Sequence, residues 1–339
     1  MRINPLVVIS AVLIGFSSSS STSLRGAVES MDGSNWLKSF SEYKLLDVPI
    51  IPATHNSCTA NLANDASWGD RVCYPWFSQQ KLSVAEQLKI GIRLLDLRLH
   101  PIEGNVFVSH TRNTDYTLDR VLEEVRNFLQ MHKSEFVILF LRIDWDHRLE
   151  KGGSLDEKNW RQREMIREKL VNSGLDFSTS DVKDVTVKQL AGKVLLYTPL
   201  QGSQCVINTG DTAKNPPMND FSKFEKFDIW DCDSWRDLFT VTEKQAKLDE
   251  HMRSIPTLDS ARSKSGEDNL HGVAIDLTTV WTPRLTSPGL NDWFLQNLES
   301  NDAWKARASP LGVLEIDFAE PSILKRILDY NKSKRHSKI

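Results

Sequence analysis

Two histidines and two arginines stand where apolar runs of this 339-residue chain stop. VPIIPAT leads into His55 and Asn56, IRLLDLR carries Asp96 and Arg98, VFVSH ends in His110, and VILFLRID ends in Arg142 and Asp144. Later runs deliver Asp231 with Asp233, then Asp276, then Asp317. Each alone has a plain structural explanation: an acid caps the next helix, a lone histidine packs, an arginine pairs with a neighbouring acid. Gathered at one mouth, they form a set suited to phosphoryl transfer. One imidazole takes a proton from an attacking hydroxyl while the other protonates the leaving oxygen. A buried carboxylate fixes the tautomer of the base, and a guanidinium fork holds the phosphate oxygens as charge develops on them. His55, His110, Asp317 and Arg98 can fill these roles without a metal.

The elements that must position them are read from apolar runs. Strands are expected at 47–53, 92–98, 106–110, 137–143, 193–198, 227–231, 272–277 and 312–318. Several of these runs are continuous rather than alternating, as in parallel strands buried on both faces. Between them, residues 117–132 place Leu118, Val121, Leu122, Val125, Phe128 and Leu129 on one helical face, with Thr117 as the cap. Further helices are expected at 157–172, 235–254 and 322–333. The alternation predicts an α/β fold, a distorted or incomplete TIM-like (β/α) barrel forming a single catalytic domain over residues 24–339. In such a barrel the C-terminal strand ends share one mouth. An open doubly wound sheet is the alternative, but it would carry a glycine-rich phosphate loop, and none is present.

A formal net charge of −3 offers no basic face for nucleic acid. Residues 1–23 place Arg2 before an apolar run and then a serine tract, the pattern of a secretory signal peptide. No later segment has the length and apolarity of a membrane span. The mature chain is therefore expected to be secreted. Cys58, Cys73, Cys205 and Cys232 are an even set for that compartment, and local pairing, Cys58 with Cys73 and Cys205 with Cys232, is expected.

IPATHNS, GIRLLDLRL, VFVSH and LEEVRNFLQMHKSEFVILFLR, spread over residues 47–145, resemble the phosphatidylinositol-specific phospholipase C family through its X-type catalytic region. The site pattern is closest to that of metal-independent bacterial-type members. The resemblance implies a distorted TIM barrel that cleaves phosphatidylinositol to diacylglycerol and an inositol cyclic phosphate. It implies His55 as general base, His110 as general acid, Arg98 on the phosphate and Asp317 behind His55. It makes Asn56 part of the catalytic set and Arg142, Asp96 and Asp231 part of the substrate-binding set. Calcium-dependent members carry acids where this chain has Arg98 and Arg142, and two guanidiniums repel a divalent cation, so no cofactor is expected. The chain departs from the metal-independent pattern at Asn56, where those members have Asp, and at Thr111, where the family has Gly.

The implied partner is phosphatidylinositol or a GPI-type lipid, met through transient contact with a membrane surface. Trp68, Trp76 and Phe77, with Tyr74 and Trp281, are the aromatic candidates for a headgroup-level rim. Two alternatives stay open: a non-catalytic inositol-phosphate or lipid-binding module on this scaffold, and a different barrel phosphodiesterase.

Overall fold

The computed structural model describes residues 26–28, 31–102, 104–143, 155–178, 180, 184–198, 224–227, 240–254, 270–275, 282–305 and 311–335. The expected leader at 1–23, Asp144, Cys205, Asp231, Cys232, Asp233, Asp276 and Trp281 lie outside them.

Among the described residues, nine strands form one sheet. They are β1 (Ile50–Thr54), β2 (Leu94–Ile102), β3 (Asn105–Ser109), β4 (Asn113–Thr117), β5 (Val137–Ile143), β6 (Val194–Tyr197), β7 (Phe224–Phe227), β8 (Leu270–Ala274) and β9 (Gly312–Ile316). Seven run parallel in the order β6-β5-β2-β1-β9-β8-β7. The upper half of β2 also pairs antiparallel with β3, which pairs with β4, so a hairpin rises from the mouth. No pairing joins β6 to β7 among the described residues, so the expected barrel is an open one.

Helices cover the outside: α1 (Trp68–Cys73), α2 (Val84–Ile90), α3 (Leu118–Met131), α4 (Leu155–Val171), α5 (Val187–Leu190), α6 (Val241–Ser254), α7 (Pro283–Ser300), α8 (Asp302–Lys305) and α9 (Pro321–Arg335). In α3 the six expected apolar residues are the buried ones, and the Thr117 side chain accepts from the Arg120 N–H. That cap satisfies one of the donors a helix start leaves open. Helix α7 was not anticipated because Pro283 and Pro288 interrupt its pattern. Pro283 sits in the first turn, where a missing N–H costs nothing. The α7 face around Leu290, Phe294, Leu295 and Leu298 is fully buried.

Alternation along the strands explains the mouth. Ile51 and Ala53 on β1, Leu94 on β2, Ile138 and Phe140 on β5, Leu195 and Tyr197 on β6, and Val313 on β9 belong to one apolar cluster inside the barrel. A strand sends every second residue to the same face. Continuing each row upward gives His55, then Asp96 and Arg98, then Arg142, then Glu315 and Asp317. The apolar lower layer and the polar upper layer are therefore one set of rows, changing chemistry part-way along.

The expected Cys58–Cys73 bridge is not formed. Cys58 is buried in the core under the turn after β1, whereas Cys73 ends α1 on an exposed face, and both thiols are free. Helix α1 is held by its own capping box, Ser67 with Asp70, and not by a covalent staple.

Candidate active site

His55 follows the last residue of β1, and its N–H donates to the Ile316 carbonyl at 3.1 Å, carrying the β1–β9 ladder one residue beyond the strand. The chain then turns through Asn56, at φ 44°. The Asn56 N–H donates to Asp96 Oδ2 at 3.2 Å and the Ser57 N–H to the Asp96 carbonyl at 2.9 Å.

The imidazole of His55 is buried and fixed at both nitrogens. Its Nδ1 lies 2.9 Å from Asp317 Oδ1. Its Nε2 faces two donors, the Asn56 amide at 2.9 Å and the Arg98 guanidinium at 3.2 Å. Donors on one nitrogen and a carboxylate on the other define the neutral Nδ1–H tautomer, with the Nε2 lone pair directed into the mouth. That is the form a general base needs.

Asp317 is held in turn by residues that sequence reasoning missed. Ser287 of α7 donates to Asp317 Oδ2 at 3.2 Å, and Asn291, one turn on, donates to the Asp317 carbonyl at 2.8 Å. Gln80 bridges the two strand ends, donating to the carbonyls of His55 at 2.9 Å and Ile316 at 3.0 Å and accepting from the Ala319 N–H at 3.1 Å. These residues sit on a helix and a loop whose placement no local pattern announces.

His110 stands across the mouth, its ring centroid 6.3 Å from that of His55. Its Nδ1–H donates to the Phe77 carbonyl at 2.9 Å, which leaves Nε2 for a substrate atom. The proton affinity of His110 is lowered to about 3, first by burial and then by the Arg98 guanidinium. At neutral pH the resting site thus holds His110 as a neutral imidazole beside the Arg98 cation.

Asn56 was expected in the catalytic set, where metal-independent members have Asp. Its amide reaches His55, because the left-handed turn at residue 56 folds the short side chain back over the preceding ring. The Asn56 Oδ1 and Gln79 Nε2 atoms are buried with no hydrogen-bond partner among the described residues. The three non-glycine residues with positive φ among the described residues are Asn56, Thr111 (63°) and Phe318 (50°). They directly follow His55, His110 and Asp317, and a left-handed Thr is a costly conformation found where function over-determines the backbone.

Arg98 and Arg142 are direct neighbours in the β2–β5 register. Arg142 donates to Asp96 at 3.3 Å, and the Arg98 Nε lies 4.0 Å from the same carboxylate. Glu315, two residues before Asp317 in VLEIDF, is buried below it on the same face. Ligand atoms of His55, Asp96 and Glu315 lie within 4.8 Å of one another. That donor set does not fit calcium, which takes six to eight oxygens. Asp96 is already engaged by a guanidinium and a backbone N–H, His55 is tied to Asp317, and the remaining space is shared with two arginines.

Of the aromatic rim, Trp68 is 80% exposed at the start of α1. Trp76 and Phe77 are partly buried, and the Phe77 ring meets His110 edge-on at 5.9 Å, so this residue faces the site as much as the solvent. Tyr197 and Thr198 are fully buried.

Fold and site together define an open α/β barrel whose mouth pairs two histidines across an arginine. Residues 69–150 match the family model PI-PLC X 1, a span that includes Asp96, Arg98, His110 and Arg142. The chain is 24% identical over 308 residues to the 1-phosphatidylinositol phosphodiesterase of Listeria monocytogenes, covering 88% of this chain and 84% of that one. It is 30% identical over 137 residues to the PI-PLC X domain-containing protein 1 of Mus musculus, there covering 33% of this chain and 39% of the other. Among solved structures, the phosphatidylinositol-specific phospholipase C from Listeria monocytogenes superposes with a TM-score of 0.60 at 22% identity, over 88% of this chain and 98% of that one. The F249X mutant of the Staphylococcus aureus enzyme does so with a TM-score of 0.62 at 19% identity, over 88% and 97%. Over residues 69–150 the chain is thus similar to the PI-PLC X 1 model, and over most of its length it shares the fold of the solved bacterial structures.

Proposed function

We propose that this chain is a secreted phosphodiesterase that cleaves phosphatidylinositol, or a glycosylated form of it, to diacylglycerol and an inositol cyclic phosphate. The observation that carries the reading is the His55 lone pair, presented beside Arg98 and facing His110 across 6.3 Å. His55 Nε2 takes the proton of the inositol 2-hydroxyl as that oxygen attacks phosphorus. Arg98 holds the phosphate oxygens, and Asp317 stabilises the imidazolium that forms. His110 gives a proton to the glycerol oxygen as the ester bond breaks. His110 must therefore enter the step charged, and an anionic phosphate on Arg98 removes the nearest repulsion that keeps it neutral. Trp68 is the residue placed to meet the headgroup layer.

One observation favours the non-catalytic alternative: in the resting site Asn56 occupies the lone pair of the base while His110 resists a proton. Turnover decides between the two. The full mature chain is incubated with phosphatidylinositol vesicles in excess chelator, and phosphorus NMR follows the products. Cyclic product that disappears in His55→Ala supports the phosphodiesterase. Silence both in chelator and with added calcium, from a folded chain, moves the reading to a binding module.

A further inference from the structure

The row that carries Asp96 and Arg98 along β2 does not end there. His100 comes next on the same face, about 6.7 Å further out for two residues of strand, and it is 9% exposed. Its Nδ1–H donates to Asn113 Oδ1 at 2.8 Å, which leaves Nε2 as an acceptor. That Nε2 is buried and has no partner among the described residues. A buried polar atom left without a partner costs stability and calls for an explanation.

His100 lines a cavity of about 260 Å³. Ser109 and Thr111, which flank His110 in the chain, line it as well, while His110 itself does not. Its charged walls are Asp65, Asp70 and Arg112. Arg112 is ion-paired with Asp70 and also donates to the Thr111 carbonyl at 2.8 Å. Two carboxylates against one guanidinium that is already paired make a poor home for an anion. An unfilled acceptor on the wall selects instead a neutral group that brings a donor, and a hydroxyl is that donor. The volume falls below the ~300–1,000 Å³ that holds a drug-sized ligand, and so suits a group of glycerol size.

We propose that this cavity is the subsite for the leaving alcohol, and that His100 Nε2 accepts a hydrogen bond from a free hydroxyl on it. The inference rests on the phosphodiesterase reading and narrows its substrate class. A glycerol esterified at both remaining positions offers His100 only carbonyl acceptors. A glycerol with one or two free hydroxyls, as in a monoacyl or fully deacylated inositol phosphodiester, supplies the donor. The site therefore favours partly or fully deacylated phosphoinositides, molecule for molecule, over the diacyl lipid.

The test compares glycerophosphoinositol with the methyl ester of inositol 1-phosphate, which has the same headgroup and no hydroxyl on its leaving group. The full chain carrying His110→Ala is titrated with each by calorimetry, so that binding is read without turnover. Tighter binding of the glyceryl ester is expected, with the advantage reduced roughly three- to tenfold in an added His100→Phe and partly restored in His100→Gln, whose amide oxygen accepts. Lysophosphatidylinositol below its critical micelle concentration, run as a third ligand, is expected to share the advantage. Equal affinity for glyceryl and methyl esters, or an advantage that survives His100→Phe, overturns the subsite and leaves the phosphodiesterase reading standing. No affinity for either ester removes both.

Discussion

Two charge networks, one fully buried and one open to the mouth, lie three residues apart at the foot and in the body of the same strand, and they are built to opposite ends. At the foot of β2, Arg93 is fully buried and spends its donors on the Glu135 carboxylate, at 2.7 and 3.0 Å, and on the carbonyls of Gly33, Ser34, Leu88 and Ile92. Its guanidinium also lies over the Phe128 ring at 4.7 Å. Higher up, Asp96 and His55 are buried while Arg98 and Arg142 stay partly exposed at the mouth, and Asn56, Gln79 and His100 each keep a buried polar atom unfilled among the described residues. A saturated network closes the barrel. The one with acceptors and donors in reserve waits for a ligand to complete it, and that separates the structural Arg93 from Arg98 and Arg142, which are partly exposed.

The comparison breaks most visibly at its lower half. Glu135→Ala leaves Arg93 charged in a dry site and is expected to cost about 3–5 kcal/mol, read as a lower urea midpoint, with a folded population too small to assay at 37 °C. His55→Ala, in the upper half, is expected to lower kcat about 10²- to 10⁴-fold, while the urea midpoint falls by less than in Glu135→Ala, because Ser287 still donates to the buried Asp317 carboxylate.

A finer probe is Ser287→Ala, which takes one donor from Asp317. Here kcat is expected to fall roughly tenfold, in line with a hydrogen bond to a charged group, with KM little changed. The limb of the pH–rate profile that reports the base should shift with it. An unshifted profile would make Ser287 a packing residue only.

His110 sets a pH dependence of stability whose sign is fixed. Its proton affinity is lowered from 6.5 to about 3 in the folded chain. Between those values the unfolded chain holds a proton that the folded chain refuses, so stability falls as pH drops through this window. His110→Gln is expected to flatten that part of the curve, and denaturant titrations at pH 4, 5 and 7 will show it. The smallest effect sits at Thr111, whose left-handed backbone at φ 63° costs a β-branched residue about 1 kcal/mol. Thr111→Gly is expected to recover most of that in the melting temperature.

The sequence made the strand ends legible because each row changes from apolar to polar at one step, as in VPIIPATHN and VILFLRID. Helix α3 was legible through its 3.6-residue pattern and Thr117. Glu315 carried the same period-two signal as Asp317 and was readable in principle. Ser287, Asn291 and Gln80 were not, since their roles come from where α7 and the loop before α2 dock, and docking is a tertiary event with no local period. The Cys58–Cys73 expectation failed for a related reason: even counting ignores that one thiol points into the core and the other away from it. The contact of Asn56 with His55 was not legible either, because the left-handed turn that directs it is invisible in a string of letters.

The central claim is that the mouth becomes an acid–base pair only when an anion occupies Arg98. Nitrogen-15 NMR of the histidine rings, with and without inositol phosphate, measures this directly. The account predicts His55 as the Nδ1–H tautomer at neutral pH, and His110 titrating near 3 when free and clearly higher with the anion bound. A free His110 that titrates near 6.5, or one whose titration ignores the anion, would contradict it.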